Sequence, residues 1–339
     1  MHNRKFILHK RPQALITDDL FKLVTEPLPA LKDGEVLVRN QYLSLDPTHR
    51  IWMSDMEQYM PPIALGEVVR AGGVGVVADS KSPLLKVGDL VMGLLGWQDY
   101  SLHPAAALRA LPKEMDIPST AFLSVLGLTG MTAYFGLLDV TAPKAGETLV
   151  VSGAAGAVGS IVGQIALIKG MRVIGIAGTD AKCDWLTKEL GFHGAINYKT
   201  QDVKKALAEL CPNGVDVYFD NVGGATTEAV WSNLNLYARV SLCGMISGYN
   251  DGKPIPGPKN YSLILMKRLK VQGFIVSDYA ARWPEAMTEM YQWVKQGRIK
   301  YSEDIVAGLE NAPRAVNKLF DGSNKGKLIL KLENPSVLK

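Results

Sequence analysis

A chain of 339 residues is long enough for two domains and a large core, and its 47% hydrophobic and 21% charged side chains describe a globular protein. A net charge of +4 without any lysine or arginine run argues against nucleic acid as a partner. The start is too short in apolar residues for a signal peptide, no uncharged stretch reaches membrane-span length, and the isolated Cys183, Cys211 and Cys243 fit a reducing cytoplasm better than a disulfide framework.

Taken in chain order, the first third reads as β-structure. Short runs at 35–39, 68–78 and 89–95 are broken by Gly and Pro clusters, and Val74-Gly75-Val76-Val77 predicts a tightly curved, barrel-like sheet. From about residue 146 the pattern changes to short apolar strands alternating with helical segments. Strands are expected after the first at 171–177, 194–198, 215–220, 239–243 and 271–276, with helices at 160–169, 181–190, 203–210 and 226–234. Such alternation means a doubly wound parallel sheet. Another strand at 327–331 is expected to return to the first domain. The predicted fold is therefore α/β. A β-rich, barrel-like domain over 1–125 is completed by 301–339, and a doubly wound Rossmann domain over 126–300 is inserted between.

The first strand of that alternation, Leu149-Val150-Val151-Ser152, runs straight into Gly153-Ala154-Ala155-Gly156-Ala157-Val158-Gly159, and a helix follows. Gly153 suits a tight turn, Gly156 a close approach of backbone to pyrophosphate, and Gly159 close packing of helix on strand. The amides opening that helix favour phosphate. A strand before, a helix after and a second strand beyond are the context that makes the motif a dinucleotide site.

The acid that would hold a free ribose 2′-hydroxyl belongs at the tip of the second strand, where this chain has Gly178. Asp180, beside Thr179, reads as a helix cap. Lys182 stands in a first helical turn, where a cation opposes the helix dipole and is explained by a 2′-phosphate, a solvated surface lysine being the plainer alternative. Asn221 ends the fourth strand, facing the ligand crevice.

The N-terminal domain has no cysteine, and His2, His9, His49, His103 and His193 show no ligand spacing, so no metal site is expected. His49 reads as a polar loop residue.

Several separated motifs together resemble the medium-chain dehydrogenase/reductase superfamily. They are Tyr42-Leu43-Ser44-Leu45-Asp46-Pro47, Gly96-Trp97-Gln98-Asp99-Tyr100, Gly127-Leu128-Thr129-Gly130-Met131-Thr132-Ala133-Tyr134 and Asp220-Asn221-Val222-Gly223-Gly224. The set continues with Cys243-Gly244-Met245-Ile246-Ser247-Gly248-Tyr249-Asn250, Gly308-Leu309-Glu310-Asn311-Ala312-Pro313 and Asn324-Lys325-Gly326-Lys327. Within the superfamily the chain resembles the zinc-free, NADPH-dependent alkenal/one reductases, the group of prostaglandin and leukotriene reductases, plant double-bond reductases and bacterial curcumin reductases. One departure is Thr48-His49-Arg50, where that group usually has Tyr-Met-Arg.

The resemblance implies a homodimer paired through the edge strand at 271–276. It also implies NADPH as cofactor and an enone or enal as small-molecule substrate. Tyr198, Asn221, Cys243, Gly244, Ile246, Ser247, Tyr249 and Asn324 would contact the cofactor, with Phe274, Ile275 and Val276 flanking the nicotinamide. Tyr249 is the implied proton donor, a buried structural tyrosine being the alternative. Tyr42, Arg50, Trp52, Met53 and Tyr59 are candidates for the substrate pocket. The implied reaction is reduction of a conjugated C=C bond. A quinone reductase of the same superfamily and a non-catalytic NADPH binder are the competing readings.

Overall fold

Short β-type runs in the first third and strand–helix alternation beyond it give two different architectures in one chain. The computed structural model describes residues 2–112, 114, 116–251 and 255–333. Contacts divide the chain into a first unit of Met1–Leu123, Glu303–Asn324 and Leu328–Lys339, and a second of Ser124–Ser302 with Lys325–Lys327.

In the first unit the strand Glu35–Ser44 is the organiser of a seven-stranded sheet. The order is Glu303–Ala307, Lys327–Lys331, Glu35–Ser44, Gly72–Ser80, Leu90–Leu94 and Arg109–Ala110, and Tyr100–Pro104 also pairs with Glu35–Ser44. The returning strand is antiparallel, with Ile329 opposite Ser44. Two register shifts between Glu35–Ser44 and Gly72–Ser80 supply bends of the kind that curve a sheet. His2–Leu8 and Phe21–Pro27 form a separate antiparallel pair.

The core of this unit gathers around Trp97, which is wholly buried. Phe6 meets its ring edge-on at 6.3 Å, and Phe21 lies tilted at 5.3 Å. Neighbours in the Gly96–Tyr100 motif brace that position: buried Asp99 accepts the Arg4 Nε at 2.7 Å, and Gln98 Oε1 accepts Asn3 Nδ2 at 3.1 Å. The motif thus serves packing. His49 is no loop residue but sits on the short helix Thr48–Trp52, fully buried and stacked 5.4 Å from Trp97. Its Nδ1 lies 2.9 Å from the Asp46 carbonyl oxygen, which makes it a core histidine.

The second unit is a six-stranded parallel sheet ordered Gly194–Asn197, Arg172–Ala177, Thr148–Ser152, Val215–Asp220, Leu234–Leu242 and Lys270–Gly273. In sequence rank this is 3-2-1-4-5-6, the order of a dinucleotide-binding Rossmann sheet. Thr148–Ser152 is buried at all five positions, as a strand covered on both faces must be.

Several boundaries depart from expectation. The helix expected at 226–234 is Gly224–Trp231, because Leu234 already pairs with Val215. The fifth strand accordingly begins five residues early, and Tyr237 takes a left-handed φ of 62° inside it where the pairing shifts. The sixth strand stops at Gly273: the Phe274 ring turns to Phe219, 6.3 Å away, and Val276 opens a 3-10 helix. The helix expected at 181–190 is α-helical only over Asp180–Asp184 and continues as a π-helical turn, Trp185–Glu189.

Candidate active site

Open parallel sheets bind ligands beyond the carboxyl ends of the strands where the strand order reverses. Here the reversal lies between Thr148–Ser152 and Val215–Asp220, so the turns after Ser152 and Asp220 frame the site. After Ser152 the chain turns through Gly153 at φ 59°, and the helix Ala157–Ile168 starts with Gly156 as its N-cap. A Cβ on Gly159 would stand 2.4 Å from the Gly153 carbonyl oxygen, so no side chain fits where helix meets turn. Ala154 donates its amide to Ile176 at 3.0 Å, and Ala155 accepts the Gly326 amide at 3.0 Å. The residues 153–159 thus form a compact cradle whose capping residue has no side chain to occupy the helix N-terminus. A diphosphate fits such a position.

At the end of the second strand, Gly178 lies against Tyr198: a Cβ there would come within 3.1 Å of the phenol ring and its hydroxyl. Thr179 is the cap of the next helix, its Oγ1 accepting the Lys182 amide at 3.2 Å. The capping role expected of Asp180 therefore belongs to its neighbour. Asp180 instead accepts Asn197 Nδ2 at 2.7 Å, which occupies its carboxylate with the adjoining strand. Gly178, Tyr198 and the backbone of Lys182 share this corner, and Tyr198 is 48% exposed.

The turn after the fourth strand is tied to the first. Asn221 donates Nδ2 to the Ser152 carbonyl at 2.7 Å and its amide to Ser152 Oγ at 2.9 Å. The segment after the fifth strand then lies on that turn. Cys243 and Gly244 donate amides to the Asp220 carbonyl at 2.9 and 3.1 Å, Ile246 to Asn221 at 3.3 Å and Ser247 to Val222 at 3.1 Å. Tyr249 closes this segment, and its hydroxyl oxygen accepts the Met245 amide at 3.0 Å. A Cβ on Gly244 would lie 3.1 Å from the same oxygen, so glycine leaves room for the phenol. The amide thus fixes where the phenolic oxygen stands on the segment.

Asn221, Cys243, Gly244, Ile246, Ser247 and Tyr249 are thus joined through one network, and the glycine cradle is joined to it at Ser152. Phe274 packs on Phe219 of the fourth strand, while Val276 is buried and its carbonyl accepts Trp283 Nε1 at 3.3 Å; Ile275 connects them. Asn324 belongs to the first unit, buried.

The residues expected around a substrate all lie in the first unit. Tyr42 is on the central strand. Met53 is wholly buried in the core, and Arg50 is spent on the Ala14 carbonyl at 2.9 Å and on Ser54 Oγ. Trp52 donates Nε1 to Tyr59 Oη at 2.8 Å, and Tyr59, 47% exposed, is the most exposed of the five. Among the described residues no group of three His, Cys, Asp or Glu side chains could hold a metal ion.

Sequence reasoning did not single out Asp220 as a site residue. Its carboxylate accepts Ser152 Oγ at 3.0 Å, Tyr218 Oη at 2.8 Å, the Val222 and Gly223 amides at 3.0 Å, and Thr227 Oγ1. The available signal was an acid immediately before Asn-Val-Gly-Gly at a strand end. Burial, with the Asp220 charge nearby, pushes the Cys243 thiol up to about 12. We expect iodoacetamide at pH 8 to label Cys243 of the native protein at least ~10²-fold more slowly than in the denatured chain, because only the thiolate reacts. Peptide mapping reads this directly, and labelling at comparable rates would show an ionised Cys243.

Comparison with known proteins adds the lineage. Residues 4–111 match a family model described as the N-terminal domain of oxidoreductase, and residues 157–293 match one described as zinc-binding dehydrogenase. The chain is 43% identical over 335 residues to the NADPH-dependent curcumin reductase of Escherichia coli (strain K12), covering 97% of each. It is 41% identical over 299 residues to the NADP(+)-dependent 2-alkenal reductase of Nicotiana tabacum, covering 88% of this chain and 87% of that one. Among solved structures, that of CurA in complex with NADPH from Vibrio vulnificus superposes with a TM-score of 0.91 at 44% identity, covering 98% of this chain and 100% of that one.

Proposed function

Because this chain belongs to the medium-chain dehydrogenase/reductase superfamily, we propose that it is an NADPH-dependent reductase of the C=C bond of α,β-unsaturated ketones and aldehydes. The observation that carries the reading is a tyrosine hydroxyl, oriented by a backbone amide, on a segment hydrogen-bonded to the turn after the fourth strand, which is itself tied to Ser152 at the mouth of the glycine cradle. Relatives named as curcumin and 2-alkenal reductases, each matched over most of its length, support the same chemistry.

NADPH, when bound, supplies a hydride to the β-carbon of the conjugated alkene. The protein's task is then electrostatic: negative charge develops on the carbonyl oxygen, and a donor placed there stabilises it. Tyr249 is that donor, with Met245 fixing its hydroxyl. The cradle 153–159 holds the diphosphate, and Lys182 with Tyr198 meets the 2′-phosphate. Incubating the protein with NADPH and an enone tests the reading. The saturated ketone is the expected product, and an unsaturated alcohol with its double bond intact would overturn it. A quinone consumed much faster than any enone would favour the quinone-reductase alternative.

The reaction is expected to run without zinc, in a cytoplasmic protein. The first unit has no cysteine, the three cysteines of the chain are all free, and no helix among the described residues is long and apolar enough to cross a membrane. Prolonged chelation should leave the enone reduction rate unchanged, and elemental analysis should find well under one zinc per chain. A rate that falls on chelation and returns with zinc would contradict this.

A further inference from the structure

Asp220 ends the strand Val215–Asp220 with only 1% of its surface exposed, yet among the described residues no cation pairs with it. A buried carboxylate without compensation is costly. Here hydroxyls and amides supply it. Four donors converge on Oδ1: Ser152 Oγ, Tyr218 Oη and the amides of Val222 and Gly223, at 2.8 to 3.0 Å. Thr227 Oγ1 donates to Oδ2. Gly223 and Gly224, at φ 73° and 57°, turn the backbone sharply directly after those two amides.

The turn so held presents its carbonyls outward. Asp220, Asn221 and Val222 accept the amides of Cys243, Gly244, Ile246 and Ser247, and Ser247 Oγ adds a second bond to Val222 at 2.7 Å. Tyr249 is fixed through Met245 inside that same segment. We infer that Asp220 is a positioning residue for Tyr249: its carboxylate shapes the turn that serves as the template for the donor's segment. This rests on the reading of Tyr249 as proton donor.

A positioning role and a merely structural one separate in a double-mutant cycle. Turnover of an enone at saturating NADPH is measured for the wild type, Asp220→Ala, Tyr249→Phe and the double variant, with thermal melting as the check on folding. Asp220→Ala is expected to lower kcat about tenfold or more while the enone KM changes less. In the Tyr249→Phe background the same substitution should cost less than about threefold, since no hydroxyl is left to misplace. Asp220→Asn is isosteric: its carbonyl can keep the four donors and its amide can face the Thr227 hydroxyl. It should retain several-fold more turnover than Asp220→Ala, because it gives up the worth of about one hydrogen bond rather than all five.

Losses that multiply in the double variant would overturn the inference and leave the enone-reductase reading standing. No loss in Tyr249→Phe alone would overturn the reading of Tyr249, and the inference with it. If Asp220→Ala does not fold, Asp220→Asn takes its place in the cycle, and wild-type turnover in that variant would assign Asp220 to folding alone.

Discussion

Tyr249→Phe should lower turnover of a conjugated enone by about 10²-fold, the lower end of the range for general-acid catalysis, with the NADPH dissociation constant changed little. The ring and its packing remain; only the hydroxyl is lost. In the native protein that oxygen accepts the Met245 amide at 3.0 Å, so deletion removes both the donor and the group that orders its own segment. The second effect is small, because an unmade bond at a half-buried amide is partly replaced by water. Stopped-flow turnover and fluorescence titration of NADPH separate the two. A loss below about fivefold would transfer most of the proton donation to another hydroxyl, with a ribose hydroxyl of the cofactor as the first candidate, and would fall outside the general-acid range. Recovery of an unsaturated alcohol from either enzyme would point to carbonyl reduction instead.

The parts of the fold that could be read from the sequence are those where periodicity and turn chemistry agree. Val215–Asp220 and Lys327–Lys331 fall where expected, since each is a short apolar run bounded by turn residues. The helix Leu128–Thr141 gave no such signal: it is buried on nearly every side, so its apolar residues do not recur with a helical period. Tertiary contacts overrode local pattern at Phe274, whose ring fills the space a Cβ on Gly136 would need and draws the chain out of the sheet. The π-helical turn at Trp185–Glu189 has no sequence signature of its own.

The candidate site divides along similar lines. Glycines announce close approach, so the tight turn at 153–159 and the missing side chain at Gly178 are legible in the sequence. Networks are invisible in the same way. Nothing in the spacing of Ser152, Tyr218, Asp220 and Thr227 says that three hydroxyls converge on one carboxylate, because they come from two strands and a helix. The first unit shows the opposite case. Trp97 stands in a motif that carries the family resemblance and His49 reads as a polar loop residue, and both are core residues.

Lys182→Ala should raise the NADPH dissociation constant by roughly 10- to 150-fold, the loss of one charge-assisted contact worth about 1.5–3 kcal/mol. NADH binding should barely change. The lysine stands in the first turn of a helix capped by Thr179, where the dipole disfavours a cation. An anion that outweighs the dipole gives the position its sense. Gly178 removes the side chain that would otherwise hold a ribose 2′-hydroxyl, and the Tyr198 hydroxyl lies beside it. Titration with both nucleotides at two salt concentrations tests this. The NADPH preference should shrink as salt rises in the wild type and should be nearly salt-independent in Lys182→Ala, because screening weakens a half-exposed phosphate contact. Equal weakening of both nucleotides by Lys182→Ala would mean that the substitution disturbs the turn rather than the phosphate, and would move the 2′-phosphate contact away from this corner.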